Sequence, residues 1–334
     1  DGQPLRTKNG KIQYRLWSGE KAEFLEQRQR WLDLQNQHLA MAGLEIRVDG
    51  RSYAERGIDI EPTTHIGVGA KALQRKSALT GTAIHLERLA QHETVRQRNA
   101  ARIEARPELV LDMLTAEKSV FDRRDIAKIL NRYIDDPDRF QQLLARITDS
   151  PDCLTLADES IDFATGARIP ARLTTRAMIR LEAEMVSRAN WLSERSGFAD
   201  AEKFLNTVFA RHAQLSEEQK TAIEHAAGTE RIACIVGRAG AGKTTMMKAA
   251  RQAFELAGYT VVGGALAGKA AEGLEKEAGI SSRTLASWEL GWKQGRRPLD
   301  AKTIFVLDEA GMVSSKQMAL FVEAATKAGA KLVL

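Results

Sequence analysis

The amino-acid sequence predicts an α/β fold with a parallel sheet for residues 211–334, preceded by mostly helical and small α+β segments. Three patterns lead to this prediction. After Leu215, short apolar runs alternate with amphipathic stretches, which is the order of strands and helices in a doubly wound sheet. Residues 20–41 and 115–147 carry apolar side chains at three- and four-residue spacing, as amphipathic helices do. Residues 153–175 alternate apolar and polar side chains around an Ala-Thr-Gly turn, which is typical of a β-hairpin.

The same patterns locate individual elements and core residues. The core side chains expected in the second helical stretch are Phe121, Ile126, Ile129, Leu130, Tyr133, Phe140, Leu143 and Leu144. Strands of the α/β part are expected at residues 232–236, 259–263, 303–307 and 331–334. Helices of that part are expected to begin near Ser216, Lys243, Ala267 and Ser314. Ligands of such sheets bind at the carboxyl ends of the strands.

The chain is expected to comprise four parts. They are residues 1–70, a basic helical connector over 71–110, a small winged-helix-like domain with the hairpin over 111–210, and the α/β domain over 211–334. Residues 71–106 hold eight basic side chains and three glutamates, so their excess of positive charge equals the +5 of the whole chain. We favour a solvated helix face for this stretch over a surface that follows nucleic-acid phosphates.

The composition excludes several classes of protein. With 43% hydrophobic and 28% charged residues, the chain resembles a soluble globular protein. It has neither an apolar run long enough to cross a bilayer nor a signal-peptide pattern, so a cytoplasmic protein without a membrane segment is expected. Two cysteines far apart, Cys153 and Cys234, give neither a disulfide framework nor a metal site. Because Asp1 opens the chain and an apolar run from Lys331 closes it, we expect an internal fragment of a longer protein.

The stretch GRAGAGKTT at residues 237–245 predicts a phosphate-binding loop, because it has the spacing GxxxxGK[ST] after an apolar run and before a helix. Glycines let backbone N–H groups surround a phosphate, and the helix N-terminus adds partial positive charge there. Lys243 is expected to contact the β- and γ-phosphates of ATP, and the Thr244 hydroxyl to bind Mg²⁺. The residues expected to line the nucleotide are Gly237, Arg238, Ala239, Gly240, Ala241, Gly242, Lys243, Thr244 and Thr245.

Two carboxylates at the end of a later strand support this prediction. Asp308 and Glu309 follow the apolar run TIFVL, at the strand end where ligands of α/β sheets bind. Asp308 is expected to complete the Mg²⁺ shell, and Glu309 to polarise the attacking water. Lys243 and Glu309 are therefore the predicted catalytic residues.

The motifs of this part resemble those of a known motor. The stretches LSEEQKTAI, GRAGAGKTT, GGALAGKAAEGL and LDEAGM, in this order, look like the first RecA-like domain of superfamily 1 helicases, particularly the RecD-like and conjugative branch. The resemblance implies an incomplete RecA-like P-loop NTPase domain, because the later motifs with the arginine finger are not in the sequence. It also implies that Gln219 reads the adenine and that Lys269 contacts single-stranded DNA.

The region before the motor also resembles a family. Residues 14–67 are similar to the rear of the nicking domain of Ti-plasmid-type conjugative relaxases, the MobA/MobL group. The stretches SVFDRRDIAKILNRYI and LTTRAMIRLEAEM resemble the segment that precedes the motor in the same proteins. The resemblance implies that residues 1–70 end a relaxase domain and that the parent unwinds DNA with ATP during plasmid transfer. The implied partners are the single-stranded transfer strand and other conjugation proteins, and the fragment alone is expected to be weakly active or inactive.

Residues that carry nicking chemistry are not expected in this chain. Relaxases of that group nick with a tyrosine and a metal-holding histidine cluster, whereas His65 has no histidine near it in sequence before His85. Tyr14 and Tyr53 have no adjacent base or metal motif. We therefore expect structural roles for His65 and both tyrosines.

Three alternatives stay open from the sequence. One is a repair-type helicase of the same superfamily with an unrelated amino-terminal region, which a tyrosine and histidine cluster upstream would argue against. Another is a non-motor P-loop protein such as a small-molecule kinase, which would need an acceptor site and a lid after Asp308. A third is a DNA-binding adaptor without turnover, although Lys243, Asp308 and Glu309 argue against it.

Overall fold

The computed structural model of the chain describes residues 21–44, 46–63, 87–237 and 241–334. Its amino-terminal part is helical, as predicted. The helices before the first strand are α1 (Lys21–Met41), α2 (Glu87–Ala105), α3 (Glu108–Thr115), α4 (Arg123–Leu130) and α5 (Pro137–Thr148). Capping residues determine where α4 and α5 begin. The Asp122 carboxylate accepts the N–H of Asp125 at 2.9 Å, and Asp136 caps α5 with Pro137 at its first position.

Helices α2 to α5 enclose a hydrophobic core. Of the eight side chains predicted for it, seven are buried and Phe140 is half-buried. The core extends beyond the predicted stretch, because Ile103 of α2 is fully buried in it and Ile58 and Ile60 pack against the same cluster. The backbone of Glu61 is attached to α2 by Asn99, whose amide bonds both the N–H and the carbonyl of Glu61 at 2.9 Å.

The predicted hairpin is present. Its strands are β1 (Cys153–Ala157), β2 (Ser160–Ile161), β3 (Arg168–Ile169) and β4 (Arg172–Thr175), with β1 antiparallel to β4 and β2 antiparallel to β3. At its tip the Asp162 carboxylate accepts the N–H of Ala164 at 2.9 Å, and Gly166 has the left-handed φ of 69° that the turn requires. β4 also exchanges two backbone hydrogen bonds with Phe121, which docks the hairpin on the helical core.

A five-stranded parallel sheet forms the α/β part and confirms the predicted fold class. Its strands are β5 (Ile232–Ala233), β6 (Thr260–Ala265), β7 (Ser281–Thr284), β8 (Thr303–Leu307) and β9 (Lys331–Val333). Their order across the sheet is β5-β9-β8-β6-β7, and every neighbouring pair is parallel. The strand that leads into the phosphate loop is thus separated from the strand that leads into Asp308 by β9 alone.

The helices from residue 176 onward are α6 (Arg176–Ser193), α7 (Leu205–Arg211), α8 (Glu217–Ala227), α9 (Lys243–Leu256), α10 (Gly268–Gly273), α11 (Leu285–Lys293) and α12 (Ser315–Ala328). Four of them, α8, α9, α10 and α12, begin within one residue of the predicted places, whereas α7 and α11 were not predicted. Serine caps explain two of these starts. The hydroxyl of Ser216 accepts the N–H of Gln219 at 3.2 Å, and the hydroxyl of Ser314 accepts the N–H of Gln317 at 3.4 Å.

Three strands differ from the prediction. β5 was expected to reach residue 236 but ends at Ala233, although the Ile235 N–H still donates to the Leu334 carbonyl at 2.8 Å; Val236 is then fully exposed. β6 was expected at residues 259–263 and spans Thr260–Ala265. β7 was not predicted, since its sequence SSRT lacks an apolar run. It pairs with β6 at the edge of the sheet, where only one neighbour and one packed face are needed.

The packing of the α/β part includes residues before position 211. Phe198 and Val208 are fully buried in the cluster under α9, and Leu192 of α6 is fully buried in the cluster under α12. Ser315 of α12 also donates a hydrogen bond to the Glu182 carboxylate of α6 at 2.8 Å. The four domain boundaries stay a prediction, while the cores show that α6 and α7 pack as part of the α/β layer.

Three arginines in the described part of the basic connector form ion pairs. Arg96 bonds the Asp135 carboxylate, and Arg98 and Arg102 bond Glu61 at 2.7 and 2.8 Å. Exposed pairs of this kind contribute little to stability, but they neutralise the charge that a phosphate-following surface needs. The described part of the connector, residues 87–110, therefore fits the solvated-face interpretation.

A buried lysine at the start of β9 makes stability depend on pH. Lys331 is fully buried, its Nζ donates to the Gly228 carbonyl at 2.5 Å, and burial lowers its pKa from 10.5 to about 8. Between these two pKa values the unfolded chain binds a proton that the folded chain does not. The folded state is therefore favoured as pH rises from about 8 to 10.5, by up to about 3 kcal/mol.

We expect Lys331→Met to remove this pH dependence, since a thioether chain of similar length carries no proton. Denaturant unfolding of both proteins at pH 7, 8, 9 and 10 measures the difference in unfolding free energy, which cancels the titration of other groups. The difference should favour Lys331→Met at pH 7 and shrink towards pH 10. A difference that stays constant with pH would show that Lys331 keeps an ordinary pKa.

Candidate nucleotide-binding site

The predicted site residues follow strands of the same sheet edge. The phosphate loop follows β5, Lys269 follows β6, and Asp308 follows β8. Because the strands are parallel, their carboxyl ends lie at one edge, so the fold brings these three segments to the same side of the domain. Arg238, Ala239 and Gly240 lie outside the described residues, as do Tyr14, His65 and His85.

The start of α9 has the geometry of an anion site. Its N-cap, Gly242, has a left-handed φ of 71° and provides no side-chain cap for the first N–H groups of the helix. Lys243 is the first residue of α9, and its side chain is exposed with Nζ donating to the Gly237 carbonyl at 3.2 Å. Thr244 is half-buried beside it and Thr245 is exposed. Uncapped N–H groups next to a lysine suit a phosphate.

Gln219 supports the phosphate loop from α8. Its Oε1 accepts the N–H of Ser216 at 3.0 Å, which completes a capping box, and its Nε2 donates to the Ala241 carbonyl at 3.0 Å. These bonds use one of its two lone pairs and one of its two amide hydrogens. Counted over the described residues, one acceptor and one donor of the Gln219 amide remain for a further partner. The bracing role was not predicted, although the S-x-x-Q spacing at residues 216–219 signals the capping box.

The two carboxylates at the end of β8 are held in different ways. The Asp308 N–H donates to the Gly264 carbonyl of β6 at 2.9 Å, so the sheet still holds this residue. The Asp308 carboxylate accepts the N–H of Glu309 at 3.0 Å. Glu309 is exposed and has a φ of 54°, a left-handed conformation that is unusual for a residue with a side chain. A 3₁₀ turn follows at Ala310–Met312.

The donor groups at this edge fit magnesium. A threonine hydroxyl at Thr244 and a carboxylate at Asp308 are the hard oxygen ligands that Mg²⁺ prefers. Within the described ranges no group of three His, Cys, Asp or Glu side chains forms a metal site by itself. At nucleotide sites Mg²⁺ takes one or two protein ligands plus phosphate oxygens and waters.

The structure also describes the surroundings of two other residues named from the sequence, Lys269 and Tyr53. Lys269 is exposed on α10, so it is accessible to a ligand at this edge. Tyr53 is half-buried with the Arg56 guanidinium 5.1 Å from its ring centre, and burial raises the pKa of its phenol. A raised pKa disfavours the phenolate that a nucleophile needs, which fits a structural role for Tyr53.

No described helix is both long and apolar enough to span a bilayer.

Comparison with known proteins relates the chain to conjugal transfer. Residues 214–334 match the AAA domain model, and residues 1–76 match the MobA/MobL family model. Over all 334 residues the chain is 65% identical to a probable conjugal transfer protein TraA of Sinorhizobium fredii and 61% identical to the conjugal transfer protein TraA of Rhizobium radiobacter. The chain spans 30% of the length of each of these two relatives. It is also 34% identical over 96 residues to the mobilization protein MobL of Acidithiobacillus ferridurans, which covers 29% of this chain and 24% of that protein.

These matches bear on two of the predictions. The AAA match and the five-stranded parallel sheet agree with a RecA-like nucleotide-binding domain. The match of residues 1–76 argues against the alternative in which an unrelated region precedes the α/β domain.

We expect Gly242→Ala to weaken nucleotide binding about tenfold, because an added Cβ would lie 2.5 Å from Gln219 Nε2, so that this amide must move and release the Ala241 carbonyl. Gly258→Ala is a matched control, since Gly258 has a similar φ of 84° but no atom within 4 Å of an added Cβ. Both variants should lose about 1–2 kcal/mol of unfolding free energy from backbone strain. Calorimetric titration with Mg²⁺-ATP compares them, and equal affinities in the two variants would contradict a functional loop geometry at Gly242.

Proposed function

Since this chain belongs to the family of conjugal transfer TraA proteins over all of its 334 residues, we propose that it acts in plasmid transfer as part of a DNA helicase. In this proposal the α/β domain binds ATP with Mg²⁺ and is the part of the helicase that hydrolyses ATP. The observation that carries the proposal is the uncapped start of α9. It presents Lys243 and Thr244 at the sheet edge where Asp308 and Glu309 follow β8.

The proposed mechanism assigns each residue a task. The first N–H groups of α9 and the Lys243 ammonium bind the β- and γ-phosphates, where the helix N-terminus adds partial positive charge. Thr244 and Asp308 would hold Mg²⁺, which offsets negative charge on the phosphates when bound. Glu309 accepts a hydrogen bond from the attacking water and aligns it with the γ-phosphate.

The proposed partner is single-stranded DNA of the transferred plasmid strand. The exposed Lys269 on α10 would contact its phosphates, beside the strand that leads into the catalytic carboxylates. Other conjugation proteins are proposed as further partners, because the relatives that match the whole chain are described as conjugal transfer proteins.

The proposal predicts that Lys243→Ala abolishes Mg²⁺-dependent ATP binding, because the variant loses the cation that contacts the phosphates. Lys248→Ala is the control, since Lys248 is an exposed lysine on the same helix and its loss changes the net charge equally. Calorimetric titration should show binding in the control and none in Lys243→Ala. Unchanged affinity in Lys243→Ala would reject the assignment of this site.

Gln219→Ala is predicted to weaken ATP more than bare triphosphate. Loss of the hydrogen bond to Ala241 affects both ligands through the loop, whereas loss of an adenine contact affects ATP alone. Competition titrations with ATP and inorganic triphosphate give the two affinity ratios. Equal ratios would leave Gln219 the bracing role alone and reject its reading of the base.

A further inference from the structure

The turn after Glu309 is held by a residue from the amino-terminal part of the chain. Arg47 donates a hydrogen bond from Nη2 to the backbone carbonyl of Met312 at 2.6 Å. Met312 closes the 3₁₀ turn, and its N–H donates to the Glu309 carbonyl at 2.8 Å. One side chain therefore connects to the turn that begins at the proposed catalytic carboxylate.

Arg47 is fixed in place on its own side of this contact. Its Nη1 donates to the carbonyls of Leu44 at 2.7 Å and Ile46 at 2.8 Å, and its backbone N–H donates to the Glu117 carbonyl at 2.8 Å. A planar guanidinium that already has two other partners loses little freedom when it binds a third. Arg47 can therefore hold the Met312 carbonyl at a defined position.

The residues around Arg47 are attached to α1, which itself contacts the α/β domain. The Asn36 side chain pairs with the backbone of Val48, accepting its N–H at 2.6 Å and donating to its carbonyl at 2.8 Å. Helix α1 contacts both α10 and the 3₁₀ turn, and Ala40 and Met312 pack against the same apolar cluster. We refer to α1 and residues 46–48 together as the clamp.

The turn needs such support because of its backbone. Asp308 is held by its hydrogen bond to β6, but Glu309 leaves the sheet with a φ of 54°. A side-chain-bearing residue keeps a left-handed conformation only where its surroundings enforce it. A bond to the carbonyl three residues later restricts the turn from its far end, and so restricts the backbone position from which the Glu309 side chain extends.

We propose that Arg47 is a positioning residue for Glu309, and that the clamp completes the catalytic edge of the α/β domain. The clamp lies within residues 1–76, the part that matches the MobA/MobL family. A segment of that part therefore contributes to the proposed catalytic site of the α/β domain. The inference rests on the proposed function, because it needs Glu309 to align the attacking water. Arg47 acts through the backbone of Met312, so it affects hydrolysis and leaves the phosphate contacts of α9 in place.

The test separates ATP affinity from hydrolysis in the 334-residue chain. It uses calorimetric titration and single-turnover hydrolysis of Mg²⁺-ATP at excess protein, which measures the weak activity expected of this chain alone. Arg47→Ala should lower the hydrolysis rate about tenfold while the dissociation constant for ATP changes less than about twofold, because a small displacement of a catalytic group reduces rate rather than binding. Arg47→Lys should recover part of the rate, since its ammonium still offers a donor to the Met312 carbonyl.

Arg146→Ala is the control. It also removes a guanidinium-to-carbonyl hydrogen bond of the amino-terminal part, from Arg146 Nη1 to Glu104 at 3.4 Å, but this bond joins α5 to α2 and lies outside the clamp. Its hydrolysis rate should equal that of the unaltered chain. An equal loss of rate in Arg146→Ala and Arg47→Ala would indicate general loosening and overturn the positioning role, and so would an unchanged rate in Arg47→Ala.

Two more variants distinguish an error in the role of Arg47 from an error in the proposed function. Lys243→Ala should bind no ATP, and Glu309→Gln should bind ATP but not hydrolyse it. If both behave so and Arg47→Ala hydrolyses normally, only the role of Arg47 is rejected. If Lys243→Ala binds ATP or Glu309→Gln hydrolyses it, the proposed function itself is wrong and the role of Arg47 is lost with it.

Discussion

The hydrogen bond from Asp308 N–H to the Gly264 carbonyl, 2.9 Å long, is the point at which backbone pairing with the neighbouring strand β6 ends. Up to Asp308 the backbone is registered against β6, so the position of this carboxylate follows from the pairing of the strands. From Glu309 onward the chain turns, with a left-handed φ, and its position depends on contacts outside the sheet. The backbones of these two adjacent residues are therefore held by different parts of the molecule, Asp308 by the sheet and Glu309 by the turn that the clamp contacts.

Much of the fold could be predicted because buried parallel strands and capped helices leave strong signals. The apolar run at residues 303–307 is β8 as expected, and Ser216 and Ser314 cap the helices predicted to begin there. The short polar strand β7 leaves no such signal, because it pairs on one side and needs few apolar side chains. The early end of β5 could not be predicted from the sequence either, since Val236 continues the apolar run although its side chain is exposed.

The candidate site divides in the same way between local and distant contacts. The phosphate loop and the carboxylates have spacings that the chemistry itself requires, so the sequence predicted them. The partners of the α2 arginines could not be predicted, because Glu61 lies 37 residues from Arg98 in sequence. The contact of Arg47 with Met312 is still harder to predict from the sequence, since the acceptor is a backbone carbonyl 265 residues away that any amino acid would provide. Sequence patterns thus predict candidate reacting groups but not the contacts that hold them in place.

The α/β domain depends on the residues before it for stability as well as for geometry. The match to the AAA model begins at residue 214, yet Leu192, Phe198 and Val208 are each fully buried against the sheet and its helices. Burying a side chain of this size stabilises the folded state by about 1.5–3 kcal/mol, whereas whole domains are stable by only about 5–15 kcal/mol. A segment cut at residue 214 would lose this burial and expose the apolar surface that α6 covers. The unit that folds therefore begins upstream of the unit that carries the motifs, and the clamp extends the same dependence to the catalytic edge.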